Sequence, residues 1–365
     1  MKIYKLKLLV VLLIVFSFGS CNDAIFYKIT VEPPKLVPLI GGSPTNFVVY
    51  GVKLYVASGK QIYSYDGNSW SSKEFGGRVG CLAATTGALY ALYLYNDGGD
   101  GRIKNYDSGN DLSLSNVQSI HASGDVLFAC VRNDDNTTYK VYYKKESDPG
   151  FTEIPDTFSS ILNGVASDNT YYYLCVNEGI YYIKKSEINT ASNLPVLGKD
   201  YRFVGIINLS IDYVAAISEK GDLYEISNAV ISDKKAGFND GRYSTGALAI
   251  WYKDAKPCLL LAGRKEDYYS TTSGYSNGYV EIALDETTGK IKDGAVFNEP
   301  GKIAPTSIDS YDRYTPSLGK KLINHIIQTP SAIDANMIMF ASTQQDGVWS
   351  YRDHGDGIAW NAHEK

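Results

Sequence analysis

The chain has 365 residues, 44% of them hydrophobic and 21% charged, with a formal net charge of −5. That apolar content is ample for a core, while the mildly acidic balance excludes the broad basic surface on which nucleic-acid binding depends, so no nucleic-acid partner is expected. The length would ordinarily divide into two domains, unless the chain repeats one unit around a single axis.

The N-terminal stretch MKIYKLKLLVVLLIVFSFGSC sets Lys2, Lys5 and Lys7 ahead of an apolar run from Leu8 to Phe18, followed by small residues and Cys21. This is the layout of an export signal, and the run is too short to span a bilayer comfortably. FGSC at 18 to 21 resembles the lipobox of bacterial lipoproteins, with Phe18 where Leu is usual. The resemblance implies that residues 1–20 are a signal peptide, that Cys21 is acylated, and that the membrane is a partner through that lipid. It further implies residence in the cell envelope, with inner versus outer membrane left open. An ordinary secretory signal, or an uncleaved anchor with Cys21 incidental, is the alternative. Residues 21–45 then read as the lipidated Cys and an extended tether, because Pro33, Pro34, Pro38 and Pro44 fall within them. A short strand at IFYKITV would either precede the first repeat or join the last.

Beyond the tether one phrase recurs. IYSY, IKNY, VYYK, IYYI, LYEI, YVEI and VWSY begin at 62, 103, 141, 180, 223, 279 and 348, and all but the third have a Gly one to three residues upstream. Ahead of each lies an apolar run (LYVAS, LYALYL, VLFACV, YYYLCV, YVAAIS, CLLLAG, MIMFAS), which makes each pair a hairpin. Shorter runs before the hairpin, such as NFVVY, VQSIHA and HIIQTP, supply an inner strand, and SWSSKEF, FTEIP and AWN an outer one. Four strands in about 40 residues, repeated around a ring, are the signature of a β-propeller. The expectation is an all-β chain forming a single propeller of seven four-stranded blades over 46–361, with a tail at 362–365. No long stretch beyond the N-terminus carries helical periodicity.

The chemical motifs are weak in context. SYDGNSW (64–70) falls one residue short of the sialidase box, itself a structural turn. NDGGDGRIKNYD (96–107) follows a calcium-loop spacing at Asn96, Asp100, Gly101 and Asp107, but Gly98 removes one ligand and flanking helices are missing. GYSNG (274–278) matches G-x-S-x-G around Ser276, yet a polar stretch stands where the buried strand should precede it and YVEIAL where the helix should follow. ALDETTGK (283–290) resembles the repeat of quinoprotein-type propellers, which speaks for architecture and not for a quinone. Cys81, Cys130, Cys175 and Cys258 lie in apolar strands and read as unpaired small hydrophobes. His121, His325, His354 and His363 form no metal or catalytic spacing. No catalytic residue, metal or cofactor is therefore expected.

The last two repeats carry insertions, at about 264–278 and about 292–322. Insertions in repeat proteins map to loops, and these two hold Tyr268, Tyr269, Tyr275, Tyr311, Arg313 and Tyr314, residue types that dominate interface hot spots. These six are the expected partner-binding residues, on loops expected to share one rim. The lipobox together with Tyr-rich units ending in GVWSYR and WNAHEK resembles treponeme-type spirochaetal lipoproteins of propeller architecture. That resemblance implies an envelope protein and transfers no catalytic residue. The expected role is a membrane-anchored, non-catalytic interaction scaffold for a protein or glycan partner. The alternatives are an outer-membrane protein assembly factor and a glycan-active hydrolase or lyase.

Overall fold

The computed structural model describes residues 38–94, 101–190, 193–237, 247–253, 256–262, 279–292, 318, 322–353 and 358–363. Cys21, Asn96, Asp100, Ser276, His354 and the six expected partner-binding residues lie outside them, as does IFYKITV.

The described strands form seven antiparallel sheets in chain order, and the protein is a seven-bladed β-propeller. In blade one, Val48–Tyr50, Lys53–Ser58, Gln61–Tyr65 and Trp70–Glu74 lie side by side from the axis outward. The hairpin seen as the recurring phrase is the second and third strand of every blade. Those runs are almost continuously apolar for a physical reason: a blade packs both of its faces against neighbouring blades. In Lys53–Ser58 the four residues between the two end positions are all buried, and so are Val126–Cys130 in blade three. The outer strand Trp70–Glu74, by contrast, exposes every residue after the Trp. Among the described residues, the fourth strand of blades two and six amounts to a single bridge, Lys104 to Asp111 and Leu284 to Ile291.

Ring closure falls to residues 39–42, inside the stretch expected to be tether. Val348 N–H donates to Ile40 O, Gly347 N–H to Gly42 O and Leu39 N–H to His363 O, all at 2.8 to 2.9 Å. Residues 39–42 thus continue, beside the start of the third strand of blade seven, the outer line that Ile358–Ala362 begins. Blades seven and one then share a core of Ile40, Phe47, Leu54, Val56, Tyr65, Phe340 and Val348. Gly347 sits at φ +78°, and a Cβ there would meet Ile40 O at 2.2 Å, so the closure requires glycine.

Strand alternation divides the turns between the two faces of the ring. Turns joining second to third strands, and connections from one blade to the next, lie on one face; the remaining turns lie on the other. On the second face, carboxylate or amide oxygens of Asp66, Asn105, Asp168 and Asp285 each accept two backbone N–H groups two and three residues ahead. Asp66, Asn105 and Asp285 come from the sialidase-like, calcium-like and quinoprotein-like phrases, and their geometry is that of strand-joining Asx turns. Gly101, the sixth position of the calcium-like spacing, opens a strand; a Cβ there would meet Val117 O at 2.0 Å, so close approach of the next blade explains the glycine.

Candidate functional site: the axial cavity

The inner strands surround a cavity of about 1280 Å³. They line it unevenly, because four of them are bulged. Pairing with the second strand shifts register between Val79 and Cys81, Val117 and Ser119, Phe203 and Gly205, and Ile323 and His325. The extra residues, Gly80, Gln118, Val204 and Asn324, all line the cavity. A bulge strengthens twist and re-aims side chains, which lets the strand start turn away from its sheet toward the axis.

The lining also includes Ser43, Thr45, Ser58, Gly59, Arg78 and Asn163, so the cavity opens on the face that carries the interblade connections. Its polar side chains are mostly amides and hydroxyls with partners. Asn46 Nδ2 donates to Leu82 O at 2.7 Å while Leu82 N–H donates to Asn46 Oδ1 at 2.9 Å. Asn163 Nδ2 donates to Phe203 O of the next blade at 2.8 Å, and Asn324 Nδ2 to Pro44 O at 3.1 Å. Arg132 Nη2 donates to Gln118 Oε1 at 2.9 Å. Arg78, exposed at the mouth, is the one charged side chain among the described lining residues, which include no carboxylate and no lysine.

Two half-buried histidines line the same space, from blades three and seven. His121 Nε2 lies 3.0 Å from Leu162 O; a carbonyl only accepts, so the proton is on Nε2. His325 Nδ1 accepts from Phe47 N–H at 3.3 Å, which puts its proton on Nε2 as well. Loss of hydration lowers both rings to about 4; for His121 the bond to Leu162 opposes this without reversing it. Both are neutral at pH 7. In the sequence these rings carry no metal or catalytic spacing, although each occupies the inner-strand run of its repeat, VQSIHA and HIIQTP. Of the other expected features, Cys130, Cys175 and Cys258 are buried and in no disulfide, whereas Cys81 is only partly buried and lines the cavity. Among the described residues no group of three or more His, Cys, Asp or Glu side chains could hold a metal.

The insertions that carry the six expected partner-binding residues are anchored by described residues. Ala262 and Tyr279, paired across the second and third strands of blade six, bound 263–278; Lys292 and Ile323, at an interblade connection, flank the other. Ala262, Tyr279 and Ile323 lie at strand ends on the face where the cavity opens, whereas Lys292, whose N–H donates to Ala283 O, lies beside the far end of the third strand.

No protein-family model matches the chain, and no curated protein sequence matches it. Solved structures do. YCF48 bound to a D1 peptide superposes with a TM-score of 0.54 at 10% identity, covering 88% of this chain and 95% of that one. A chain of the mitotic checkpoint complex gives 0.54 at 8% identity, covering 94% and 96%. YCF48 from Cyanidioschyzon merolae gives 0.52 at 10% identity, covering 87% and 98%. At such identities the likeness is one of fold.

Proposed function

We propose that the protein is a non-catalytic interaction scaffold, tethered to a bacterial envelope membrane by lipid on Cys21, whose partner docks on the face where the axial cavity opens. One observation carries the reading: the cavity, both anchors of the 263–278 insertion and the Ile323 end of the other share that face, while several turns on the opposite face are fastened by Asx hydrogen bonds. Loops held by a rigid scaffold are where binding residues concentrate. The comparisons support a binding role in general terms, since one similar propeller was solved with a peptide and another within a complex. The described lining offers no carboxylate pair of the kind used in glycoside hydrolysis, which weighs against the hydrolase alternative.

Crosslinking on intact cells, followed by capture of the protein, tests the scaffold. Substituting Tyr311, Arg313 and Tyr314 with Ala should lower retention of the captured partner while leaving the thermal melt almost unchanged; equal retention overturns the assignment of this surface. Cys21→Ser should abolish incorporation of a labelled fatty acid, and undiminished labelling would remove the tether.

A further inference from the structure

The two cavity histidines are held in the same tautomer through opposite nitrogens. His121 spends its N–H on Leu162 O, which leaves Nδ1 as a bare acceptor. His325 spends its lone pair on Phe47 N–H, which leaves Nε2–H as a donor. Neither remaining nitrogen has a hydrogen-bond partner, and neither is among the sealed, unsatisfied polar atoms of the interior. Both rings line the cavity, three blades apart by the shorter way round. The cavity therefore presents one acceptor and one donor from nearly opposite walls, with apolar surface from Val48, Val49, Ala84 and Ile327 between other lining groups.

We infer that the cavity binds an uncharged stretch of extended peptide, whose backbone N–H is taken by His121 Nδ1 and whose backbone C=O is taken by His325 Nε2–H. A charged ligand would lose hydration in a space where the lining supplies no compensating charge beyond Arg78 at the mouth. An extended chain alternates apolar side chains with amides, and the lining likewise mixes apolar residues with the polar groups of Thr45, Asn46, Ser119 and Asn324. This deepens the scaffold reading by naming the ligand chemistry at the face already assigned to partners, and it rests on that reading.

The test is nitrogen NMR of the full chain with isotopically labelled histidine, titrated to millimolar concentration with short blocked peptides (N-acetyl, C-amide) built from Ala, Val, Ser and Asn. Single His→Gln substitutions assign the signals. The expected result is a shift of the unprotonated nitrogen of His121 and of the protonated nitrogen of His325, with His363 unmoved. His121→Phe and His325→Phe should each weaken binding about tenfold, the value of one hydrogen bond inside a low-dielectric site. The wild-type spectra decide the matter even if a variant fails to fold. Unmoved cavity histidines, or shifts produced instead by a neutral oligosaccharide, overturn the inference. If crosslinking still captures a partner through the loops, the scaffold stands and only the cavity ligand is lost; if capture fails too, both fall.

Discussion

The side-chain amide of Asn46 makes a two-bond bridge to the backbone of Leu82 across the seam between blades one and two, accepting from its N–H and donating to its C=O. It occupies the place of a peptide group in a strand that is not there. The arrangement recurs: Asn208 bridges the N–H and C=O of Ser167 between blades five and four, and Gln328 does the same to Tyr252 between blades seven and six. Asn46→Ala leaves both Leu82 groups unpaired at a partly buried seam and should destabilise the ring by about 1–3 kcal/mol. Asn46→Asp keeps the acceptor but loses the donor, and should not rescue it. Urea unfolding measures both, and wild-type stability in the Ala variant would show that the bridge contributes nothing.

Two glycines separate backbone strain from closure. Gly51 and Gly347 both have positive φ, but a Cβ on Gly51 meets nothing within 4 Å whereas one on Gly347 meets Ile40 O. Gly51→Ala should cost only the left-handed penalty of about 1–2 kcal/mol. Gly347→Ala should cost more, and should raise amide hydrogen exchange at Val348 and across the blade seven and blade one junction. Equal losses in the two variants would mean that the segment at 39–42 does not hold the ring shut.

Acid should loosen the ring in two steps. His121 and His325 have folded values near 4 against 6.5 for the free ring, so the unfolded chain binds more protons between these limits. Stability is therefore full above pH 6.5, falls as the pH drops toward about 4, and loses no more from these groups below that. Asp168 acts at lower pH. Burial opposes its carboxylate, but donors from Tyr173, Tyr171, Thr170 and Asn228 outweigh that and hold its pKa below the ordinary value. Its contribution is present above pH ~3.9 and disappears as the pH falls through the lowered folded value. Replacing both histidines with Gln should flatten the first step and leave the second. A melting temperature independent of pH between 6.5 and 4 in the native chain would refute the first assignment.

The thiols should report access to the cavity. Burial pushes Cys81 and Cys130 each up to about 11, so neither is a good nucleophile at neutral pH. Cys81 lines the cavity and Cys130 does not. A small neutral disulfide reagent should therefore modify Cys81 first, slowly and faster with rising pH, before Cys130 or Cys175. Simultaneous modification of all three would signal unfolding and not entry through the mouth.

Much of this architecture is readable from the sequence, and what escapes does so for a physical reason. The second strands announce themselves because burial on both faces removes the polar half of the usual alternation, as in LYVAS and VLFACV. The outer strands of blades two and six are harder to read because a single bridge leaves almost no pattern behind. Asp66 and Asp285 stand out as turn residues because an Asx turn needs only local sequence. Asn46, Asn208 and Gln328 do not, since each bonds a residue whose position only the assembled ring determines. The cavity escapes for the same cause: Gln118 and Asn324 look like polar interruptions of an inner strand until the bulges turn them toward the axis.

Closure through residues 39–42 has a consequence for how the molecule is made. The clasp joins Ile40 to Val348, about 300 residues apart, and Leu39 to His363. Contacts of such long range form slowly, and a chain emerging from the ribosome must carry its first clasp residues unpaired until almost all the rest has been synthesised. Throughout that interval Ile40, Phe47 and the flank of blade one have no blade seven to cover them. A nascent chain stopped anywhere before Val348 would thus display an open, apolar flank, a mark by which chaperones and proteases could tell the unfinished molecule from the finished one.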